Sequence, residues 1–299
     1  MKKILLTGVN GQVGHALQKK LIQHEVVSLN REQLDLSDAD AIRRVVQSIR
    51  PDLIINPAAY TAVDKAETEL QLAYAINAVA PQILAEEAAN INAALIHFST
   101  DYVYDGFKTS AYVETDIVNP LSTYGKSKLA GEVAIRSVGL PHLILRTSWV
   151  YGAYGKNFLK TILRLASERD SLRIVADQYG APTSNESIAD AVVSLLTAWN
   201  PENLNQTGVY HLTNQGKTSW HGFSTAIVDE YNQLAAAKNW PSLKTAVENI
   251  TPITTADYPT PAARPTNSSL DNNQLKQIFN VELPTWQQGL QRVMQTIEL

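Results

Sequence analysis

The chain has 299 residues, of which 44% are hydrophobic and 18% are charged, and its net charge at pH 7 is -4. This composition is typical of a globular protein of one or two domains. The slight acidity argues against a nucleic-acid or membrane partner, because surfaces that bind these polyanions are normally basic. The sequence contains no cysteine, which excludes disulfides and thiolate chemistry and favours a reducing, cytoplasmic setting.

The first predicted element is a short apolar strand at residues 3–7, which a glycine-rich turn and a helix follow at once. Strand, glycine turn and helix in this order are typical of a dinucleotide-binding fold. The glycines allow a tight turn and the close approach of a pyrophosphate, and the helix amino terminus supplies partial positive charge. We therefore predict a nucleotide cofactor at the turn that contains Gly8, Gly11 and Gly14.

A second predicted strand, at residues 26–29, ends at Asn30 and Arg31. At this place an acidic residue would hold the ribose hydroxyls of NAD, whereas an arginine can receive the 2'-phosphate of NADPH. Arg31 therefore favours NADPH, and the neighbouring Glu32 leaves NADH open.

Two further strands continue the alternation of strands and helices. The strand at 53–56 is followed by small residues that let the backbone approach a ligand, and a long helix is predicted over 69–91. Within that helix, Asn77 is either a buried polar group or a contact to the backbone of the active site. The next strand, at 94–98, delivers the hydroxyl pair Ser99 and Thr100. This alternation predicts a doubly wound parallel sheet of the Rossmann type.

Tyr124 and Lys128 are four residues apart on the next predicted helix, so they lie on one face of it. A nearby cation favours the phenolate and eases proton exchange by a group whose ordinary pKa is about 10. The pattern is also common on solvated helices. The Tyr/Lys spacing indicates a catalytic role only together with the topology, because the glycine turn, the hydroxyl pair and this helix all reach the carboxyl edge of one sheet.

After Arg146 the alternation loosens, which predicts a smaller mixed α/β domain that binds substrate. The division is residues 1–146 for the nucleotide-binding domain, rejoined by about 186–215, and 147–299 for the second domain. Helices are predicted at 157–168, 187–199 and 285–297, and strands at 172–175 and 208–212. The proline-rich stretch at 252–265 is predicted to be irregular, either as a surface loop or as a lid.

Several stretches of the sequence match a known family over essentially the whole chain. They are the turn at 8–14 and the segments at 56–67, 98–103, 124–128, 146–151, 177–183 and 264–268. On these residues the chain resembles the extended short-chain dehydrogenase/reductase superfamily and, within it, the dTDP-4-dehydrorhamnose reductase family. The resemblance implies NAD(P)H-dependent reduction of the C4 ketone of a dTDP-linked sugar.

The resemblance also implies roles for single residues. Tyr124 would protonate the ketone oxygen, Lys128 would hold the nicotinamide ribose and lower the pKa of Tyr124, and Thr100 would place the ketone. The residues that we predict to contact the cofactor, beyond these and the three glycines, are Gln12, Val13, Asn30, Arg31, Asp35, Leu36, Ala58, Ala59, Tyr60, Thr61, Asn77 and Ser99. Those that we predict to contact the substrate, with Thr100, are Asp101, Tyr102, Trp149, Gln178 and Arg264.

Two other functions share this sequence pattern. A nucleotide-sugar dehydratase or epimerase of the same fold needs a further carboxylate after the active-site threonine, and Tyr102 stands there instead of it. A non-catalytic regulatory subunit, such as that of methionine adenosyltransferase, would have lost catalytic residues, whereas Thr100, Tyr124 and Lys128 are present.

The histidines show no spacing typical of a metal site. In some members of the resembled family, glutamates are associated with magnesium at a subunit contact; here Ala16 and Thr296 stand at two of those places and only Glu186 matches. We therefore expect no metal, and a monomer or a homodimer that is not bridged by magnesium.

Overall fold

The computed structural model describes residues 1–298 and has a parallel sheet at its centre. The strands, in chain order, are β1 (Lys3–Leu6), β2 (Glu25–Ser28), β3 (Leu53–Asn56), β4 (Ala94–Thr100), β5 (His142–Thr147), β6 (Val150–Tyr151), β7 (Leu172–Val175), β8 (Tyr179–Gly180), β9 (Thr183–Ser184), β10 (Gly208–His211), β11 (Thr218–Ser219) and β12 (Ile250–Ile253). The α-helices are α1 (Gln12–Lys20), α2 (Ala39–Ile49), α3 (Val63–Ala66), α4 (Leu70–Tyr74), α5 (Ala80–Asn90), α6 (Thr123–Val138), α7 (Phe158–Glu168), α8 (Asn185–Ala198), α9 (Trp220–Lys238), α10 (Asn273–Phe279) and α11 (Trp286–Thr296).

The central sheet has six strands in the order β10-β5-β4-β3-β1-β2, and all of its pairs are parallel. The strand order reverses between β1 and β3, and this reversal point is where folds of this kind bind ligands. The structure thus confirms the predicted doubly wound α/β sheet.

Both faces of the sheet are covered, because alternate side chains of each buried strand enter different cores. In β1, Ile4 and Leu6 join a core that includes helices α1, α8 and α10, whereas Leu5 joins the opposite core with α2 and α5. Strand β10 pairs with β5, and α8 packs on α1, so the segment after residue 184 returns to this sheet.

Apart from the two cores that cover the central sheet, a separate hydrophobic core is built by α7, α9 and α11 with β7 and β12. We call it the second core. Strands β7 and β12 form a two-stranded parallel ladder, which contains Pro252. The predicted irregular stretch is therefore partly wrong: its beginning is a strand, which tolerates a proline because a two-stranded ladder has only edge strands. The division of the chain into two domains stays a prediction.

The long helix predicted over 69–91 is interrupted. The structure has α4, a π-helical segment over Ala75–Val79, and then α5. Asn77 lies in the π segment, fully buried, and its side chain bonds the backbone N–H and C=O of Tyr60 at 2.8 and 3.0 Å. Apolar periodicity does not reveal this extra residue per turn, whose effect is to present the Asn77 amide to the loop after β3.

Within residues 1–298, no helix combines the length and the apolar character needed to cross a bilayer.

Candidate active site

A cleft of about 590 Å³ opens at the reversal point of the sheet, between the loops that follow β1 and β3. Its size is within the range of small-molecule and cofactor sites. Most of the predicted cofactor residues line it: Gly8, Gly11, Gln12, Val13, Gly14, Arg31, Asp35, Leu36, Ala58, Ala59, Tyr60, Thr61, Ser99, Tyr124 and Lys128.

The glycine turn has the shape that a nucleotide requires. Gly8 has a φ of +60°, and a Cβ atom there would lie 2.8 Å from the Cβ of Ala58. A Cβ atom on Gly14 would lie 2.2 Å from the Gly8 carbonyl oxygen. Helix α1 begins directly behind this turn, and its cap, Gly11, offers no side chain to its first N–H groups. The turn and the helix terminus therefore fit the pyrophosphate of a dinucleotide.

Two predicted cofactor residues do not line the cleft. The Asn30 side chain accepts hydrogen bonds from the backbone of Glu32 and Gln33 at 2.9 and 3.0 Å, and so shapes the turn that carries Arg31. Asn77 lies behind the cleft wall, where its side chain accepts a hydrogen bond from the Tyr60 backbone N–H and donates one to Ser127 Oγ. Both support the cleft wall, and sequence alone does not distinguish support from contact.

The start of α6 places Tyr124 beside Thr100. Ser122 caps this helix by accepting a hydrogen bond from Gly125 N at 3.2 Å, and Thr123 donates two hydrogen bonds to Glu67. Gly125 packs against the carbonyl of Tyr102, where a Cβ atom would lie 2.2 Å from the oxygen. The Thr100 hydroxyl is then near enough to the Tyr124 phenol to oppose part of the rise in its pKa.

The acid–base properties of this pair differ from the sequence-based expectation. Burial raises the pKa of Tyr124 above its ordinary value, and the bond to Thr100 only partly opposes this. Burial also lowers the pKa of Lys128 to about 7, although Glu132 acts in the opposite sense. The expected lowering of the Tyr124 pKa is therefore wrong for the structure without cofactor, because desolvation of the phenolate is the largest influence on this pKa and the neighbouring Asp101 acts in the same direction.

The predicted substrate residues form a second group, next to the cleft. Thr100 and Asp101 follow β4 directly; Thr100 donates to Asp101 Oδ1 at 2.9 Å. Burial raises the pKa of Asp101 to about 6. Its other oxygen, Oδ2, is buried near the Ser268 hydroxyl, which donates instead to the Tyr179 carbonyl at 3.3 Å; within the described chain Oδ2 makes no hydrogen bond, which suits an acceptor for a substrate hydroxyl.

The remaining members of this group stand on the second core and its loops. Trp149 has a φ of +48° and stacks on Trp220 with ring centroids 3.4 Å apart. Gln178 donates to Thr255 Oγ1 at 3.1 Å. Arg264 forms an ion pair with Asp64 at 2.9 Å and lies within reach of the Tyr102 hydroxyl, whose pKa burial raises to about 12. The ion pair therefore joins the segment after β12 to helix α3.

Some residues of the site were not predicted from the sequence. Lys156 and Gly155 line the nucleotide cleft, and Trp220 supports Trp149. Gln12 accepts a hydrogen bond from Asn157 at 3.1 Å and so joins the glycine turn to the second core. No local signal separates Lys156 from a surface lysine, since its position depends on a loop that crosses between the two cores.

In the part of the chain that the structure describes, no cluster of three or more potential metal ligands is formed. Glu186 lies beside Thr296, whose hydroxyl is 3.5 Å from the Glu186 carboxylate.

Comparison with known proteins agrees with this geometry. The family model of the RmlD substrate binding domain matches residues 1–299. The chain is 46% identical to a dTDP-4-dehydrorhamnose reductase of Burkholderia thailandensis over 288 residues, which cover 95% of each chain. Among solved structures, it is similar to a dTDP-4-dehydrorhamnose reductase of Clostridium acetobutylicum, with a TM-score of 0.89, 36% identity and coverage of 98% of each chain. It is also similar to that of Bacillus anthracis in complex with NADP, with a TM-score of 0.87, 35% identity and the same coverage.

Proposed function

The chain belongs to the family of the RmlD substrate binding domain, and on this premise we propose that it reduces dTDP-4-dehydro-β-L-rhamnose to dTDP-β-L-rhamnose with NADPH. The observation that carries the proposal is that Tyr124 and Lys128 line a cleft shaped for a dinucleotide, with Thr100 close to the Tyr124 phenol. NADH would use the same cleft if the contact between Arg31 and the 2'-phosphate contributes little to the affinity for the cofactor.

When bound, the cofactor supplies the hydride that reduces C4. The residues that would hold it are the glycine turn for the pyrophosphate, Arg31 for the 2'-phosphate and Lys128 for the ribose next to the nicotinamide. Tyr60, fixed by Asn77, and Ala59 would flank it on the opposite wall.

Tyr124 is the proton donor in this proposal. Because burial raises its pKa, the phenol holds its proton firmly at neutral pH and is present as an acid. The alkoxide that reduction leaves at C4 is more basic than a phenolate, so proton transfer from Tyr124 to that oxygen is favourable. The single O–H of Thr100, which donates to Asp101 in the structure, would turn to the same substrate oxygen and give it a second hydrogen bond, stabilising charge that develops only in the transition state.

The substrate group would hold the sugar and its diphosphate. Asp101 would accept from a sugar hydroxyl with its unpaired oxygen, and Trp149 would pack against the ring. Arg264 would exchange its bond to Asp64 for the diphosphate, with Tyr102 and Gln178 beside it. One chain contains all of these groups, so a monomer suffices for the chemistry, and the lack of cysteine suits a cytoplasmic enzyme.

Turnover of the purified protein tests this function. We expect one NADPH to be oxidised per dTDP-4-keto-6-deoxysugar reduced, whereas a dehydratase would consume none and a regulatory subunit would not react. Tyr124→Phe should lower turnover by roughly 100-fold or more, the scale for loss of a general acid, and leave NADPH binding unchanged.

Tyr210→Phe is the matched control, because Tyr210 is a tyrosine buried more deeply than Tyr124 but lies on β10, where its hydroxyl donates to the Gln206 carbonyl. Near-normal turnover of the Tyr124 variant would remove Tyr124 from the proton-donor role.

A further inference from the structure

A line of buried polar side chains runs beneath the cleft, from β1 across β3 and β4 to α6. The Thr7 hydroxyl lies 2.6 Å from the side-chain amide of Asn56, and the same amide lies 3.1 Å from Nδ1 of His97. The other ring nitrogen, His97 Nε2, lies 3.1 Å from Nζ of Lys128. These four side chains are 0–2% exposed. Such a line is costly to bury unless each of its members is satisfied.

The hydrogen-bonding capacity of Lys128 restricts the state of His97. An ammonium group has three donors and no acceptor. One donor of Lys128 meets the carbonyl oxygen of Phe98 at 2.6 Å, a length typical of a charge-assisted bond. A second meets His97 Nε2, and the third remains for the cleft, which Lys128 lines. An ammonium here therefore requires that Nε2 of His97 accepts.

His97 can accept at Nε2 only as a neutral ring with its proton on Nδ1. Burial and the neighbouring Lys128 lower the pKa of His97 well below its ordinary range, so the ring stays neutral at physiological pH. The amide of Asn56 has an oxygen and an NH₂ group, and the Thr7 hydroxyl both donates and accepts. In the structure Nδ2 of Asn56 faces His97 Nδ1 and Oδ1 of Asn56 accepts from the Thr7 hydroxyl. A half-turn of the amide exchanges these two atoms, so that the amide oxygen accepts from Nδ1–H and the NH₂ group donates to the Thr7 hydroxyl. The line from Thr7 to His97 is satisfied in that arrangement with the ring proton on Nδ1.

We propose that His97 is a positioning residue that holds Lys128 as an ammonium, with one N–H directed into the cleft, by accepting a hydrogen bond at Nε2. It touches neither substrate nor cofactor and acts through Lys128. The kinetic consequence rests on the proposed function, whereas the effect on the charge of Lys128 does not.

The charge of Lys128 also depends on the other ionisable groups that face it. On α6 itself these are Tyr124 and Glu132, and Glu132 is engaged by Arg146 from β5. The ionisable group that faces Lys128 from β4 is His97. Removal of an acceptor from a buried ammonium destabilises the charged form, so the pKa of Lys128 should fall when His97 is replaced by an apolar residue.

The decisive measurement is a carbon-13 NMR titration of the Lys128 Cε resonance in the protein without cofactor, with the signal assigned by its loss in Lys128→Gln. We expect His97→Phe to lower the titration midpoint of Lys128 by about one pH unit or more, the scale for one hydrogen bond to a charged group. His97→Gln should restore the midpoint to within a few tenths of a pH unit of the wild type, because its amide oxygen can accept from Nζ while its NH₂ faces Asn56.

In the reductase assay, activity requires the ammonium, so the alkaline limb of the kcat profile of His97→Phe should move toward lower pH by the same amount. KM for the nucleotide sugar should change less than about twofold, since ground-state binding is left intact.

His142→Gln is the matched control. His142 is buried on β5 and bonds the Leu140 carbonyl at 2.8 Å, with no place in the line described above. If His97→Phe does not fold, His97→Asn serves instead: its side chain is too short to reach Nζ, and the same downward movement is expected. An unchanged Lys128 midpoint in the folded variant, an equal movement in His142→Gln, or failure of His97→Gln to restore the midpoint would each overturn the proposal. A normal titration response without any reductase activity would overturn only the proposed function.

Discussion

Two cations are buried where helix α6 packs on the central sheet, and their surroundings differ in one respect. Lys128 meets a histidine ring and a backbone carbonyl, which are neutral. Arg146 meets the Glu132 carboxylate through two hydrogen bonds of 2.9 and 2.6 Å, and the Tyr104 hydroxyl at 2.7 Å. Helix α6 supplies both Lys128 and Glu132, one turn apart, so a single helix builds both regions.

The difference in partners gives the two cations opposite properties. Burial opposes the charge of Arg146, but its hydrogen bonds and attraction to Glu132 raise its pKa above the ordinary value. Burial lowers the pKa of Lys128 to about 7. A buried cation with a carboxylate partner is thus fixed as a structural element, whereas one with neutral partners is poised to change its charge and its contacts.

Replacement of the paired cation should have the largest effect on stability. Arg146→Met leaves Glu132 as an uncompensated buried carboxylate, and we expect the free energy of unfolding to fall by about 3–5 kcal/mol. Urea denaturation followed by circular dichroism measures this loss directly.

The double variant Glu132→Leu/Arg146→Met is the control for that experiment, because it removes both charges together and should recover most of the lost stability. If the single variant unfolds at the same urea concentration as the wild type, the ion pair is not the structural element that we describe.

Replacement of the unpaired cation should give the reverse pattern. Lys128→Met removes a buried ammonium that forms no ion pair with a carboxylate, but it leaves the Phe98 carbonyl and His97 Nε2 without a donor. We therefore expect a loss of about 1–3 kcal/mol, smaller than that of Arg146→Met. Turnover should fall by about 100-fold, as it does when one preorganised electrostatic group is lost from an active site. Steady-state kinetics and urea denaturation of the same preparation separate the two effects.

Lys126→Met provides the comparison for this variant, since Lys126 lies on the same helix but is exposed. It should behave like the wild type in both measurements. A Lys128 variant that loses stability as severely as Arg146→Met would show that the two buried cations do not differ in role.

The sequence predicts the region around Lys128 better than the region around Arg146, for a physical reason. The glycine turn, the hydroxyl pair after β4 and the Tyr124/Lys128 helix are local patterns, and parallel topology alone brings the carboxyl ends of strands to one edge. Arg146 bonds Glu132 of α6 and Tyr104 of the segment after β4, and nothing in the local sequence of these three residues indicates that they are partners.

The second core shows the same limit more clearly. Helix α9 was not predicted, although it stacks Trp220 against Trp149, and the π segment that presents Asn77 to Tyr60 was predicted as regular helix. The sign of the pKa change at Tyr124 was also predicted incorrectly. Periodicity reports which face of an element is apolar, but desolvation at a single atom depends on everything packed around it.

A third cation, Arg31, extends the comparison to an exposed position at the cleft. It should contribute neither to folding nor to the chemical step, and should act only on the choice of cofactor through the 2'-phosphate. We expect Arg31→Ala to weaken the binding of NADPH by roughly 10-fold, about 1.4 kcal/mol, and to leave the binding of NADH almost unchanged. Because an exposed contact between charges is screened, the loss of NADPH affinity should shrink as salt is added.

Cofactor titration by fluorescence at two salt concentrations tests this expectation. The control is Arg44→Ala, which replaces an exposed arginine on α2. Equal weakening of NADPH and NADH would exclude Arg31 from the phosphate site and assign its effect to the shape of the turn that Asn30 holds.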